Sequence, residues 1–317
     1  MARRKPKTRR FRWWKAKLLL AVNVLLLATG GVWYLIQPPS RQAEVRMLLG
    51  NYAEQNRRIS LLDIARDIYT LYYSDAFVAT DFSGGENPVY AGKPVPRDFT
   101  DNIRVLKNHA YVVGYCDARR NPAWVAYRLH DVEGDPEAAE RPGSFETDRR
   151  TVARVTHEDY TGSGYDRGHM APNFGIARCY GREAQLETFL MSNIVPQKHA
   201  LNAGPWKELE LREALNYTGR FEEVWIIAGP LFHGEKHEMK SGVPIPNAFY
   251  KIQVDEHEGR LRLQAFIMAQ DTAENASLAI MLTTVDEIER LSGLDFFPEL
   301  PDDVEEKLES ATASRPW

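Results

Sequence analysis

Tyr165-Asp166-Arg167-Gly168-His169-Met170-Ala171, followed by Asn193-Ile194-Val195-Pro196-Gln197-Lys198-His199-Ala200-Leu201-Asn202 and then by Trp206 and Glu210, is the stretch on which the reading of this chain turns. His169 stands beside a cation and a glycine, just ahead of the irregular run Ala171-Pro172-Asn173. Those are the surroundings of a general base next to an anion-binding group. Alone, such a histidine is more often a hydrogen-bonded structural residue. The second cluster adds weight to the functional reading. Asn202 offers a neutral oxygen suited to a hard divalent ion that keeps most of its water, and Glu210 on the following helix could hold one of those waters. Eight residues of α-helix rise about 12 Å, so direct ligation of one ion by both is implausible, whereas an ion with water between them is open. Asn202 can equally cap a helix near Gly204-Pro205, and the two roles can coexist.

Outward from this stretch the periodicity describes an α+β domain. Ala110–Cys116 and Ala123–Leu129 alternate with period two across a polar break, as a β-hairpin does. Further strands are expected at Glu223–Ala228, Phe249–Val254 and Leu261–Ala269, with helices at Arg182–Leu190, Trp206–Leu215 and Val285–Ser292. Upstream, residues 41 to 73 read as helix, with Leu61, Ile64, Ala65, Ile68, Leu71 and Tyr72 near 3.6 spacing, a stalk or packing helix. There is no Walker loop, HExxH or G-x-S-x-G, so the common NTPase, zincin and α/β-hydrolase readings fall away.

The segment Asp166 to Ala171 resembles the signature of the DNA/RNA non-specific endonucleases, the endonuclease G-like ββα-metal (His-Me finger) nucleases. The series Asn193, Asn202, Trp206, Glu210 is similar to that family's metal-binding segment, and Trp124-Val125-Ala126-Tyr127-Arg128 to the strand before the signature. The resemblance covers about residues 105 to 270 and implies an α+β, ββα-metal domain with a mixed or antiparallel sheet. It further implies His169 as general base and Asn202 as direct Mg2+ ligand, with Mn2+ a possible substitute. Glu210 would order water on that ion, Arg167 and Arg128 would contact the scissile phosphate or its neighbours, and Asn193 would orient the catalytic groups. The implied activity is hydrolysis of DNA and RNA phosphodiesters, without sequence preference, to 5'-phosphate and 3'-hydroxyl ends, with no small organic cofactor. A catalytically silent nucleic-acid-binding module and a phosphodiesterase acting on a non-nucleic substrate are the alternatives.

Charge complicates this picture. The chain of 317 residues has a formal charge of -4, yet residues 1–17 carry nine Lys/Arg and no acid, which leaves -13 for the rest. Residues 255 to 309 alone hold fifteen Asp/Glu against four Lys/Arg. Holding nucleic acid by bulk positive charge is therefore excluded, and a locally positive cleft is required. Arg119, Arg120, Arg128, Arg149, Arg150, Arg154, Arg167, Arg178, Arg182 and Lys198 are the candidates in or near the motifs.

The amino terminus reads as an address. Residues 18–36 form an uncharged run of nineteen which, as a helix, would span about 28 Å, a bilayer core. The cations before it put the N-terminus in the cytoplasm and the chain from Gln37 onward across the membrane. A cleaved signal peptide with its site near Ala28-Thr29-Gly30 and a mitochondrial presequence are rival readings, and a buried core helix is the bland one. The expected organisation is a basic cytoplasmic segment 1–17, a transmembrane anchor 18–36, a helical stalk 37–80, a nuclease domain 81–297 and an acidic, mobile tail 298–317. The domain would lie in the periplasm of a bacterium or the mitochondrial intermembrane space of a eukaryote. A homodimer is a possible assembly. Two cysteines, Cys116 and Cys179, allow one bridge, against the alternative of two separately buried thiols. His233 with His237, four apart, could ligate a metal on a helix, His199 could approach the site, and Asn216 and Asn275 begin glycosylation sequons.

Overall fold

The computed structural model describes residues 10–53, 59–74, 76–97, 102–133, 140–257 and 259–317. The first nine residues of the basic segment lie outside these. Met1–Gly50 and Asn51–Trp317 form separate compact units. In the first, helix α1 (Arg10–Leu35) contains Lys17–Leu35, long and apolar enough to cross a membrane, with mean hydropathy 2.0 and none of it buried.

The single helix expected over 41–73 is two, α2 (Pro39–Ala53) and α3 (Leu61–Tyr73). A reciprocal cap starts the second: Ser60 Oγ accepts from the Asp63 amide, and the Asp63 carboxylate accepts from the Ser60 amide. Far from a free stalk, α3 buries Ile64 and pairs Asp67 with Arg220 through Nε at 2.6 Å and Nη2 at 2.5 Å.

The core is an antiparallel sheet. Its principal strands are β1 (Ile103–Lys107), β2 (Tyr111–Cys116), β3 (Asn121–His130), β6 (Glu223–Leu231), β7 (Ala248–His257) and β8 (Arg260–Ala269), side by side in that order. A separate antiparallel pair, β4 (Asp166–His169) with β5 (Ile194–Gln197), carries the signature. Alternation gives the large sheet two apolar faces. Val125, Tyr127, Leu129, Val224 and Ile226 pack with Trp206, Leu209 and Ile176, whereas Trp124, Ala126, Trp225 and Ile227 pack with Val285, Ile288, Val304 and Leu308.

Helix α4 (Asn173–Glu187) begins nine residues before the expected Arg182 and is broken at Gly181, where φ is 80°. Glycines lower the local helix preference, and burial of Ile176 and Ala184 overrides it. The helix expected from Trp206 is longer and irregular. It runs as α5 (His199–Leu201), a π-helical turn Asn202–Trp206, α6 (Lys207–Arg212), a second π turn Glu213–Tyr217 and α7 (Thr218–Phe221). Near the C-terminus α8 (Val285–Ser292) falls where expected. Residues 298–317 are not the expected solvated tail, because α9 (Asp302–Glu309) buries Val304 and Leu308, and Trp317 stacks edge-on against Phe221. Three apolar side chains outweigh the surrounding charges.

Cys116 and Cys179 form no disulfide. Cys116 pairs with Asn121 at the start of β3, and Cys179 Sγ donates to the His130 carbonyl at its end. A strand of ten residues separates them by roughly 30 Å, which no disulfide bridges. His237 lies in a short strand, not on a helix.

Candidate active site

Two short elements and one helix converge on a cleft of about 530 Å³ lined by Asp166, Arg167, His169, Asn202 and Glu210, together with Arg141 and Lys207. The β4/β5 ladder opposes His169 to Ile194 and Asp166 to Gln197, and the chain then turns directly into α5. Gly168 is obligatory in this ladder. A Cβ there would lie 2.0 Å from Gln197 Oε1 and 2.7 Å from its Cγ, and Gln197 is fully buried.

His169 is half-buried, its ring 4.8 Å from that of Phe189 and 5.4 Å from that of Phe145. Its carbonyl accepts from the Trp206 indole at 3.2 Å, which ties His169 to the π turn. Nε2 is enclosed without a hydrogen-bond partner, so Nδ1 is the nitrogen that water can reach. Burial, with Arg141 adding repulsion, pulls the imidazole down to about 3. The repulsion comes from Arg141 and not from Arg167, two positions away in sequence.

Asn193 does not line the cleft. Fully buried, it accepts from the Ala171 amide at 2.8 Å and donates to the carbonyls of Ala171 at 3.0 Å and Thr188 at 2.9 Å. It clamps the turn leaving His169.

Asn202 Nδ2 donates to Asp166 Oδ2 at 3.0 Å, and the same oxygen lies 2.8 Å from His199 Nδ1. The bond fixes the amide so that Oδ1 is left for another partner. Glu210 Oε1 is buried with no partner, and burial raises the carboxyl to about 7 against the pull of Lys251. Two oxygen donors with unused lone pairs on one cleft fit a hard divalent ion. In a regular α-helix residues eight apart differ by about 80° of rotation, but a π turn absorbs one extra residue and leaves about 20°. The turn is built by Gly204, whose φ of -95° and ψ of -116° are non-helical, and by Pro205, which has no amide hydrogen to give. It brings Asn202 and Glu210 to the same wall.

Arg167 is pinned between the rings of Phe145 and Tyr160, each 5.8 Å from its guanidinium carbon, while Nη2 donates to the His157 carbonyl at 2.7 Å. Arg128 is elsewhere. It opposes Trp225 on the far face of the sheet and is ion-paired to Glu223, because the strand alternation that sends Tyr127 toward the helices sends Arg128 away. Four of the seven other arginines expected to make the cleft positive are engaged elsewhere: Arg120 binds the Ser241 carbonyl, Arg150 pairs with Asp148, Arg178 binds the Val132 carbonyl and Arg182 the Glu140 carbonyl. Beside Arg167, the cleft draws its cations from Arg141 and Lys207. Sequence reasoning missed Arg141, Asp166 and Phe145; only Asp166 had a signal, its place within the signature.

The chain matches the family model described as DNA/RNA non-specific endonuclease over residues 95–303. It is 33% identical to the mitochondrial nuclease EXOG of Xenopus laevis over 62% of this chain and 58% of that protein. It is 31% identical to human mitochondrial endonuclease G over 62% and 70%, and 30% identical to a Serratia marcescens nuclease over 68% and 82%. The match thus spans under two thirds of the EXOG relative's length. In three dimensions the chain resembles a crystallised complex of EndoG with EndoGI, at TM-score 0.60 and 25% identity over 70% of this chain and 94% of that one. A family-model match spanning the whole site, with Asp166, Arg167 and His169 of the signature and Asn202 on one cleft, places the chain in the DNA/RNA non-specific endonuclease family.

Proposed function

We propose that the protein is a membrane-anchored, Mg2+-dependent endonuclease that hydrolyses DNA and RNA without sequence preference, leaving 5'-phosphate ends, with Mn2+ as a substitute ion. The observation that carries the reading is the Asp166–Asn202 hydrogen bond, which leaves Asn202 Oδ1 free on the same cleft as His169 and the unpartnered Glu210 oxygen. Asn202 would hold the ion, with Glu210 beside it. When bound, Mg2+ supplies charge relief to a phosphoryl oxygen and to the departing 3'-oxygen.

The chain's own residues do the rest. His169, neutral because its pocket disfavours the imidazolium, accepts a proton from water at Nδ1. Asn193 and Trp206 keep that ring in register through the Ala171 backbone and the His169 carbonyl. Arg167, stripped of much of its water between two aromatic rings, and Arg141 present guanidinium groups to the phosphate. None of these contacts reads a base, so indifference to sequence follows.

The same reading puts residues 18–36 across a membrane, with the basic N-terminus in the cytoplasm and the nuclease domain outside it, in the periplasm or the mitochondrial intermembrane space. What supports the anchor is the apolar helical stretch Lys17–Leu35 at the end of a segment, residues 1–17, with nine cations, and the first relatives are mitochondrial proteins by name. Digestion of plasmid and of RNA with and without EDTA tests the activity. Cleavage that persists in EDTA, or acts on small diesters alone, overturns it.

A further inference from the structure

Far along the chain from the cleft, α8 and α9 bring three carboxylates together. Asp286 and Glu289, three apart on α8, share one helix face, and Glu309 is the last residue of α9. One ligand oxygen from each lies within 4.8 Å of the other two. The three differ sharply in surroundings. Asp286 is exposed and Glu289 half-buried, with one oxygen accepting from the Phe296 amide at 2.8 Å. Glu309 is only 6% exposed, and its Oε1 has no hydrogen-bond partner.

That last fact needs an explanation. A buried carboxylate among two others loses its hydration and gains repulsion, which is relieved either by a proton, as the upward push on Glu309 to about 9 favours, or by a cation held among the three. Among the described residues, Arg97 is the cation ion-paired with any of the three, and it reaches only Glu289, at 3.6 Å, while also serving Asp295. Packing forces the geometry, since Val285 and Ile288 on α8 and Val304 and Leu308 on α9 are all buried in one apolar layer.

We propose that Asp286, Glu289 and Glu309 form a second cation site, of the calcium class, which joins α9 to α8. The donors are all carboxylate oxygens, which select a hard cation over zinc or copper. Oxygens bound to one Ca2+ at about 2.4 Å are at most about 4.8 Å apart, a spacing these three satisfy, and an irregular set from two helices suits calcium better than octahedral Mg2+. The site is structural and independent of the cleft.

Calorimetric titration of the full chain with Ca2+, in an Asn202→Ala background that silences the cleft, tests it. One equivalent of Ca2+ is expected to bind and to raise the thermal midpoint by several degrees. Glu309→Gln should weaken binding by about tenfold or more and abolish the shift. Asp286→Asn changes an exposed residue, so it folds even if Glu309→Gln does not, and it should show the same loss. Absence of Ca2+ binding in the parent overturns the site, as does a calcium response in Asp286→Asn equal to the parent's. Mg2+ binding as tightly as Ca2+ overturns the calcium assignment.

Discussion

The Asp166 carboxylate accepts a 3.0 Å hydrogen bond from Asn202 Nδ2, joining the first residue of the signature strand to the start of the π turn 36 residues later. The direction of that bond decides which end of the Asn202 amide faces the cleft. Without Asp166 the amide is free to rotate, and its NH2 group cannot ligate a metal.

Asp166→Ala is therefore expected to raise the Mg2+ concentration needed for half-maximal cleavage by about 10- to 100-fold, with much of the rate restored at saturating Mg2+. Activity measured across a Mg2+ series checks this. An unchanged Mg2+ dependence means that Asp166 does not orient the ligand.

His169→Ala should lower kcat/KM by about 10²- to 10⁴-fold while Mg2+ affinity stays near wild type. The imidazole is held at about 3, so the acid limb belonging to it should lie far below the ordinary histidine value of 6.5. The protonated ring is favoured more in the unfolded chain than in the folded one. Between about pH 3 and 6.5 the unfolded state thus binds the extra proton, and stability from this group falls on acidification through that window. Phe145→Ala opens the pocket and should move the limb upward, toward 6.5. A pH–rate profile with no such movement removes the burial argument.

Arg141 and Arg128 make a matched comparison. Arg141→Ala should cost about 10²-fold in kcat/KM, the scale for one transition-state donor. Arg128→Ala should leave cleavage near wild type and register instead as lower thermal stability, since it strips Glu223 of its partner. Equal kinetic losses in the two variants would contradict the placement of Arg128 on the far face.

At Gly204 a Cβ would lie 2.4 Å from the Glu274 carbonyl oxygen and 2.7 Å from its Cα, and backbone cannot swing aside as a side chain can. Gly204→Ala is expected to cost about 1–3 kcal/mol and to displace the π turn. Thermal unfolding should show the first effect, and a raised Mg2+ requirement the second. A variant with wild-type stability would mean that the turn tolerates the methyl group.

Much of this protein was legible in one dimension. The alternation in β2, β3, β6, β7 and β8, and the apolar run ahead of Gln37, are local patterns set by periodicity and length, and they need no partner to be read. His169 from the signature and Asn202 and Glu210 from the segment after it were singled out by motif spacing, and the structure sets all three on one cleft. The same local rules misplaced what depends on contact. Arg128 looked like a phosphate ligand until alternation about β3 turned it to Trp225 and Glu223. Arg141 sits in no periodic element, and only the folding of its loop against Phe189 brings its guanidinium to the cleft. The π turn was hidden because a helical register is read from an assumed 3.6 residues per turn, and close packing of Gly204 on Glu274 breaks that assumption. Likewise the acidic end seemed free because charge dominates its composition, while Val304, Leu308 and Trp317 decide its place by burial. Propensity and pattern act over a few residues and are written in the sequence; the direction a side chain faces and the partner it meets are settled by packing between segments far apart in it.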